Sequence, residues 1–280
     1  MALIGAVPNI IWLKEIENGS AKGLTPFLIL LCALEFHPES SELFGLVQEV
    51  NQSFCNDQAK TAWSREIEHD WNKGATPFYY LLSALSKNPK SEEMLVMVQT
   101  VHNSLGDEAK TIWAREIECG RADKGATPFY WLLDALYKNY ESQELLDLFH
   151  IVHHSLRDQA KVVWATTIKE GWRKGTTPFY KLLQVLVRNP ELVQLIRTVH
   201  DSLSADQAKI IWAKEEKVDY VGATPFYWLL CVLDQNPESR CVLNLVQEVH
   251  KILKENAKMI KEGVNKKDRP KRPIPSENYR

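Results

Sequence analysis

The sequence predicts an all-α chain, a right-handed α-solenoid of five three-helix repeats of about 50 residues each. Three observations carry that reading. Thr-Pro-Phe occurs at 25–27, 76–78, 127–129, 177–179 and 224–226, so successive copies lie 51, 51, 50 and 47 residues apart. Each copy opens a run with apolar residues at helical spacing, such as Phe78, Leu81, Leu82 and Leu85, and no window alternates as a strand would. A tryptophan also recurs once per period, at 12, 63, 113, 164 and 212. The expected organisation is a solenoid over 1–263, with repeats 1–56, 57–106, 107–157, 158–205 and 206–263, and a disordered, basic, Pro-rich tail over 264–280.

The elements follow in order within each repeat. Helix A opens on Asp57-Gln58-Ala59-Lys60, a tetrad that returns at 107, 158 and 206 and, worn, at 255. Asp is a good N-cap, and Ala59, Trp63 and Ile67 then fall on one face of a helix of about twelve residues. In the first repeat Trp12 and Ile16 hold these places, and Pro8 starts the helix. Helix B begins at Thr76-Pro77, after Gly74 has allowed a turn that other residues resist, and Asn88-Pro89 ends it. Helix C starts at Ser91 and buries Met94, Leu95, Val98, Val101 and Leu105. The fourth repeat is short: Pro178 to His200 spans 22 residues where its counterparts span 25, the loss falling between helices B and C. The last helix A has Lys261 in the Trp position, followed by Glu262 and Gly263, and so reads as a polar cap.

The formal charge is −2, and residues 264–280 hold six basic and two acidic side chains, leaving the repeats near −6. That sign makes nucleic acid an unlikely partner. The five cysteines (32, 55, 119, 231 and 241) include no Cys-x-x-Cys and read as reduced thiols in the cytoplasm. Apolar runs such as Leu28 to Leu34 are too short to span a bilayer, and the first residues lack the pattern of a secretory signal.

Thr-Pro-Phe-Tyr-x-Leu-Leu-x-Ala-Leu resembles the Thr-Pro-Leu-His-x-Ala opening of ankyrin repeats, over helices B and C, about half of each repeat. The period is longer than the ankyrin one, and a Trp-bearing helix stands where ankyrin has its hairpin. Three helices per repeat are also similar to an armadillo-type array. The resemblance implies a helical-repeat scaffold with no catalytic residue to carry over. Divergent repeats of this kind look like those of effector proteins of intracellular bacteria, which would imply delivery into a host cell.

No nucleophile elbow, phosphate loop, zinc-protease or dinucleotide motif is present, so no enzyme activity, cofactor or metal is expected. His102, His153, His200 and His250 recur at one helix C position, held by Asn51 in the first repeat, and read as a structural rung. His150, His154 and Asp147 share a face, but at solvent-type positions. Lys22, Lys73, Lys124 and Lys174 precede the B helices and read as loop solubility; a row of phosphate contacts is the other use they allow. Lys266, Lys267, Arg269, Lys271 and Arg272 in the tail would suit nuclear targeting.

Variation against this regular background is the remaining signal. At three, six and ten residues beyond the Pro of helix B stand Ile29, Cys32, Phe36; Tyr80, Ser83, Lys87; Trp131, Asp134, Lys138; Lys181, Gln184, Arg188; and Trp228, Cys231, Gln235. Helical spacing puts these on one line away from the Leu face. The expectation is a monomeric protein-binding scaffold with Tyr80, Trp131 and Trp228 as exposed anchors, and Asp134 and Lys181 setting charge preference. The alternative is a single-stranded nucleic-acid reader that stacks bases on the aromatics.

Overall fold

The computed structural model describes residues 9–19, 21–68, 73–118, 123–171, 173–189, 192–215 and 223–267. Among them the chain is all-α, without a strand. The helices are α1 (Asn9–Leu13), α2 (Pro26–Phe36), α3 (Ser41–Ser53), α4 (Asn56–Ser64), α5 (Pro77–Lys87), α6 (Glu92–Leu105), α7 (Ala109–Ala114), α8 (Pro128–Lys138), α9 (Gln143–Leu156), α10 (Ala160–Ala165), α11 (Pro178–Arg188), α12 (Val193–Ser202), α13 (Ala205–Ala213), α14 (Pro225–Gln235) and α15 (Arg240–Lys267).

Thr-Pro-Phe starts a helix each time for one reason. The Thr hydroxyl accepts from the amide three residues on, as Thr76 Oγ1 does from Tyr79 (3.2 Å) and Thr127 from Tyr130 (3.1 Å), while Pro fills the first helical position. Ser40, Ser91 and Ser142 cap α3, α6 and α9 in the same way, at 3.2 Å. Asn88 and Asn139 end α5 and α8, and their side chains reach outward. Asn88 Nδ2 donates to the Pro38 carbonyl (3.1 Å), Asn139 to that of Pro89 (3.0 Å) and Asn189 to that of Tyr140 (3.1 Å), linking each repeat to the one before.

Helix A is shorter than the periodicity predicts. α4 stops at Ser64, and Ile67 lies in extended chain instead of on the helix face. Its N–H donates to the Ala75 carbonyl (2.9 Å) and its carbonyl accepts from Gly74 (3.0 Å), so the segment pairs with the approach to α5. Ile16, Ile117 and Ile168 repeat the pairing with residues 23–24, 125–126 and 175–176. Gly74 serves two needs here. Its φ is +88°, and a Cβ would come within 2.9 Å of the Glu116 carbonyl, because successive loops stack backbone on backbone. Glu118 N–H closes that stack on the Lys73 carbonyl at 2.9 Å.

α2, α5, α8, α11 and α14 lie side by side in that order, and each packs against the helix that follows it. Trp63, Trp113, Trp164 and Trp212 are fully buried. Each meets edge-on the Phe of the preceding repeat's B helix, with centroids 5.0, 4.9, 4.9 and 4.8 Å apart for Phe27, Phe78, Phe129 and Phe179. The tryptophan of one repeat thus closes the corner of the last. The end of the chain departs from expectation. α15 is one unbroken helix past position 263 to Lys267, with no separate final helix A, and the tail reading for 268–280 lies outside the described residues. No described helix is long and apolar enough to cross a membrane.

Candidate functional site

The variable line on the B helices is a seam, and this corrects the expectation of exposed anchors. Tyr80, Trp131, Asp134 and Lys181 are only 5, 4, 2 and 8 % exposed, and Trp228 is half-buried. Each faces the B helix of the preceding repeat. Ser83 Oγ donates to Glu35 Oε1 (2.7 Å), and Lys87 donates to the Glu35 carbonyl (3.0 Å). The Trp131 ring meets Tyr79, and Trp228 meets Tyr180, both edge-on at 6.0 Å. The variation records a different pairing at each junction.

Asp134 is the centre of the most polar junction. Its Oδ2 accepts from Ser86 (2.6 Å), behind it in the array, and lies 2.9 Å from Lys138 on its own helix. Ahead of it Lys181 stands 3.2 Å from Oδ1 and Arg173 3.4 Å from Oδ2. Arg173 also holds Asp123 (3.3 Å) and lies 4.7 Å above the Trp131 ring, while Lys181 stands 4.5 Å above the Tyr137 ring. Burial alone would raise the Asp134 carboxyl, but Lys181, Arg173, Lys138 and Ser86 outweigh it and hold the group well below the ordinary carboxylate range. Asp123 goes the other way, raised chiefly by burial. Glu35, Ser86 and Tyr137, one position short of the variable line's outer member, were missed from sequence, as was Arg173; only their complementarity across repeats signals them.

Two of the four recurring histidines, His102 and His200, form the expected rungs; His153 meets Trp164 only ring to ring, with centroids 5.7 Å apart and no hydrogen bond from the indole, and His250 is exposed. Trp113 Nε1 donates to His102 Nδ1 (3.0 Å), Trp212 to His200 Nδ1 (3.1 Å), and Trp63 to Asn51 Oδ1 (2.8 Å) in the first repeat. Only a neutral imidazole accepts at Nδ1, and burial lowers the pKa of His102, His153 and His200. Their folded pKa values therefore lie below the unfolded value of about 6.5, and the folded chain binds fewer protons in that window. The stabilisation is complete above about pH 6.5 and is lost as pH falls below it. Denaturation midpoints should drop as pH falls below about 6.5, and His102→Asn with His200→Asn, which copies Asn51, should flatten that drop. An unchanged slope in the double variant would refute the rungs as its source.

His150 and His154 are exposed, and among the described residues no three His, Cys, Asp or Glu side chains group to hold a metal. In the lysine row, Lys73 pairs with Glu118 (2.6 Å) and Lys124 with Glu170 (3.0 Å), tying one loop to the next. Cys32, Cys55, Cys231 and Cys241 are free thiols, and burial pushes Cys32 up to about 12.

Open relief lies instead between successive C helices. A groove of about 390 Å³ separates α3 from α6, with Phe44 and Met94 in its walls and the side-chain-free Gly45 on its rim. Another of about 470 Å³ separates α6 from α9, lined by Leu95, Val96 and Gln99 among others. Val96 is 59 % exposed. Glu39 and Glu93 border the first groove, and Glu92, Glu141 and Glu144 the second, against the single cation Lys90 that both share. Comparison with known proteins finds no matching family model, curated protein or solved structure.

Proposed function

We propose that the chain is a right-handed α-solenoid of five three-helix repeats and serves as a non-enzymatic scaffold that holds a protein partner. The grooves beside α6 carry this reading. They are neighbours, they offer apolar walls, and five carboxylates surround them against one lysine. That chemistry suits an extended, basic segment laid across the C helices, its aliphatic side chains set down beside Val96. The features that would serve single-stranded nucleic acid are engaged elsewhere: Tyr80 and Trp131 are enclosed, and Lys73 and Lys124 are ion-paired.

A fluorescein-labelled peptide of alternating Arg and Val tests the site by anisotropy. It should bind saturably and more weakly as salt rises. Val96→Arg should weaken binding at least about tenfold, roughly 1.4 kcal/mol. Val162→Arg, the same charge change on the exposed face of α10, should leave it unaltered. Equal effects of the two substitutions, or no saturable binding, would place recognition elsewhere.

A further inference from the structure

Each end of the array displays half of a junction whose other half stands at the opposite end. Every internal corner joins three groups: the Phe that opens a B helix, the His or Asn of the next C helix, and the Trp of the following repeat. At the C-terminal end Phe226 and His250 stack on each other at 6.4 Å, and His250 is exposed. At the N-terminal end Trp12 stands half-buried.

The seam is divided in the same way. Tyr79 and Tyr180 are covered by the line residues Trp131 and Trp228 of the next repeat. Their counterpart Tyr227 is 50 % exposed, and Leu230 is 40 % exposed where Leu82, Leu133 and Leu183 are fully buried. The first B helix turns Ile29 (39 %) and Phe36 (75 %), both members of the variable line, toward solvent. His37 occupies the place of Asn88, Asn139 and Asn189, and Pro237 that of Pro38 and Pro89, whose carbonyls the asparagines bond.

We infer that copies of this chain stack head to tail, the α2 face of one on the α14 face of another. Trp12 of one copy completes the corner of Phe226 and His250, and Ile29 covers Tyr227 as Trp228 covers Tyr180 within the chain. Such a contact is heterologous and leaves one face free at each end, so it grows beyond a dimer. It replaces the monomer expected from the sequence, and it is independent of the groove reading.

Sedimentation of the full chain over a range of concentrations tests it. The wild-type mass should rise with concentration through dimer to larger species. Tyr227→Asp with Leu230→Asp, and separately Ile29→Asp with Phe36→Asp, should each give a monomer. An equimolar mixture of the two variants, each with one intact face, should stop at the dimer. Circular dichroism checks that the variants fold, and Phe36→Lys, at the most exposed of the four sites, serves if a double change does not. A wild-type chain that stays monomeric, association that the substitutions leave unchanged, or a mixture that forms no dimer would each overturn the inference.

Discussion

Trp113→Ala is expected to lower stability by about 3–5 kcal/mol, the range for emptying a large buried aromatic site. The ring is fully enclosed, lies edge-on to Phe78 at 4.9 Å, and donates to His102 at 3.0 Å. Removing it opens a cavity between two repeats and leaves the His102 acceptor without a partner, so both terms point the same way. Trp113→Phe separates them. It keeps most of the apolar bulk and loses only the donor, and should cost about 1–3 kcal/mol. The readout is the denaturant midpoint of the full chain. An alanine variant that melts like wild type would mean that the tryptophan does not join the repeats.

Asp134→Ala should cost a similar amount, about 3–5 kcal/mol, for a different reason. The carboxylate is 2 % exposed, and its loss leaves Lys181 and Arg173 in the seam without their main counter-charge. Asp123 remains near Arg173 but not within pairing range of Lys181 as Asp134 is. The depressed carboxyl also fixes the acid response. Its contribution is present above the unfolded value of about 3.9 and is lost as pH falls below it, a window that opens at lower pH than that of the histidines. Stability of Asp134→Ala should therefore depend less on pH below about 4 than wild type does.

Much of the fold is legible in the residues. Thr-Pro-Phe and the Asn that follows mark α5 and α8 to the residue, because a cap, a proline and a C-terminal stop are local chemistry. Ile67 misleads because its spacing from Trp63 suits a helix, while the pairing that captures it comes from Gly74 and Ala75, seven and eight residues on. α15 misleads in the opposite sense: the worn tetrad at 255 resembles a helix start, but no turn precedes it and the helix runs through.

The candidate site is read less well, and the reason is geometric. Helical spacing shows that Tyr80, Trp131 and Lys181 share a line, but not what stands opposite. In a stack of similar repeats a third surface exists besides core and solvent, and it is covered by residues 48 to 52 positions away, as Ser83 and Lys87 are by Glu35. Substitutions there change in step with a neighbour (Ser86 with Asp134, Asp134 with Lys181), which in a single sequence looks like surface freedom. The grooves beside α6 are the converse case. Val96 lies off the face that the helix C periodicity assigns to the core, and it is open, but nothing in the residues shows that a groove runs beside it.

The variable line is the contact between repeats, and a double-mutant cycle on Asp134 and Lys181 tests that most directly. Asp134→Ala, Lys181→Met and the pair are compared by denaturant unfolding. If the two side chains meet in the buried seam, Asp134→Ala should cost far less in the Lys181→Met background, with a coupling of about 2 kcal/mol or more. Both single variants near wild type, with coupling indistinguishable from zero, would show that these residues face solvent and would return the line to the role of a partner surface.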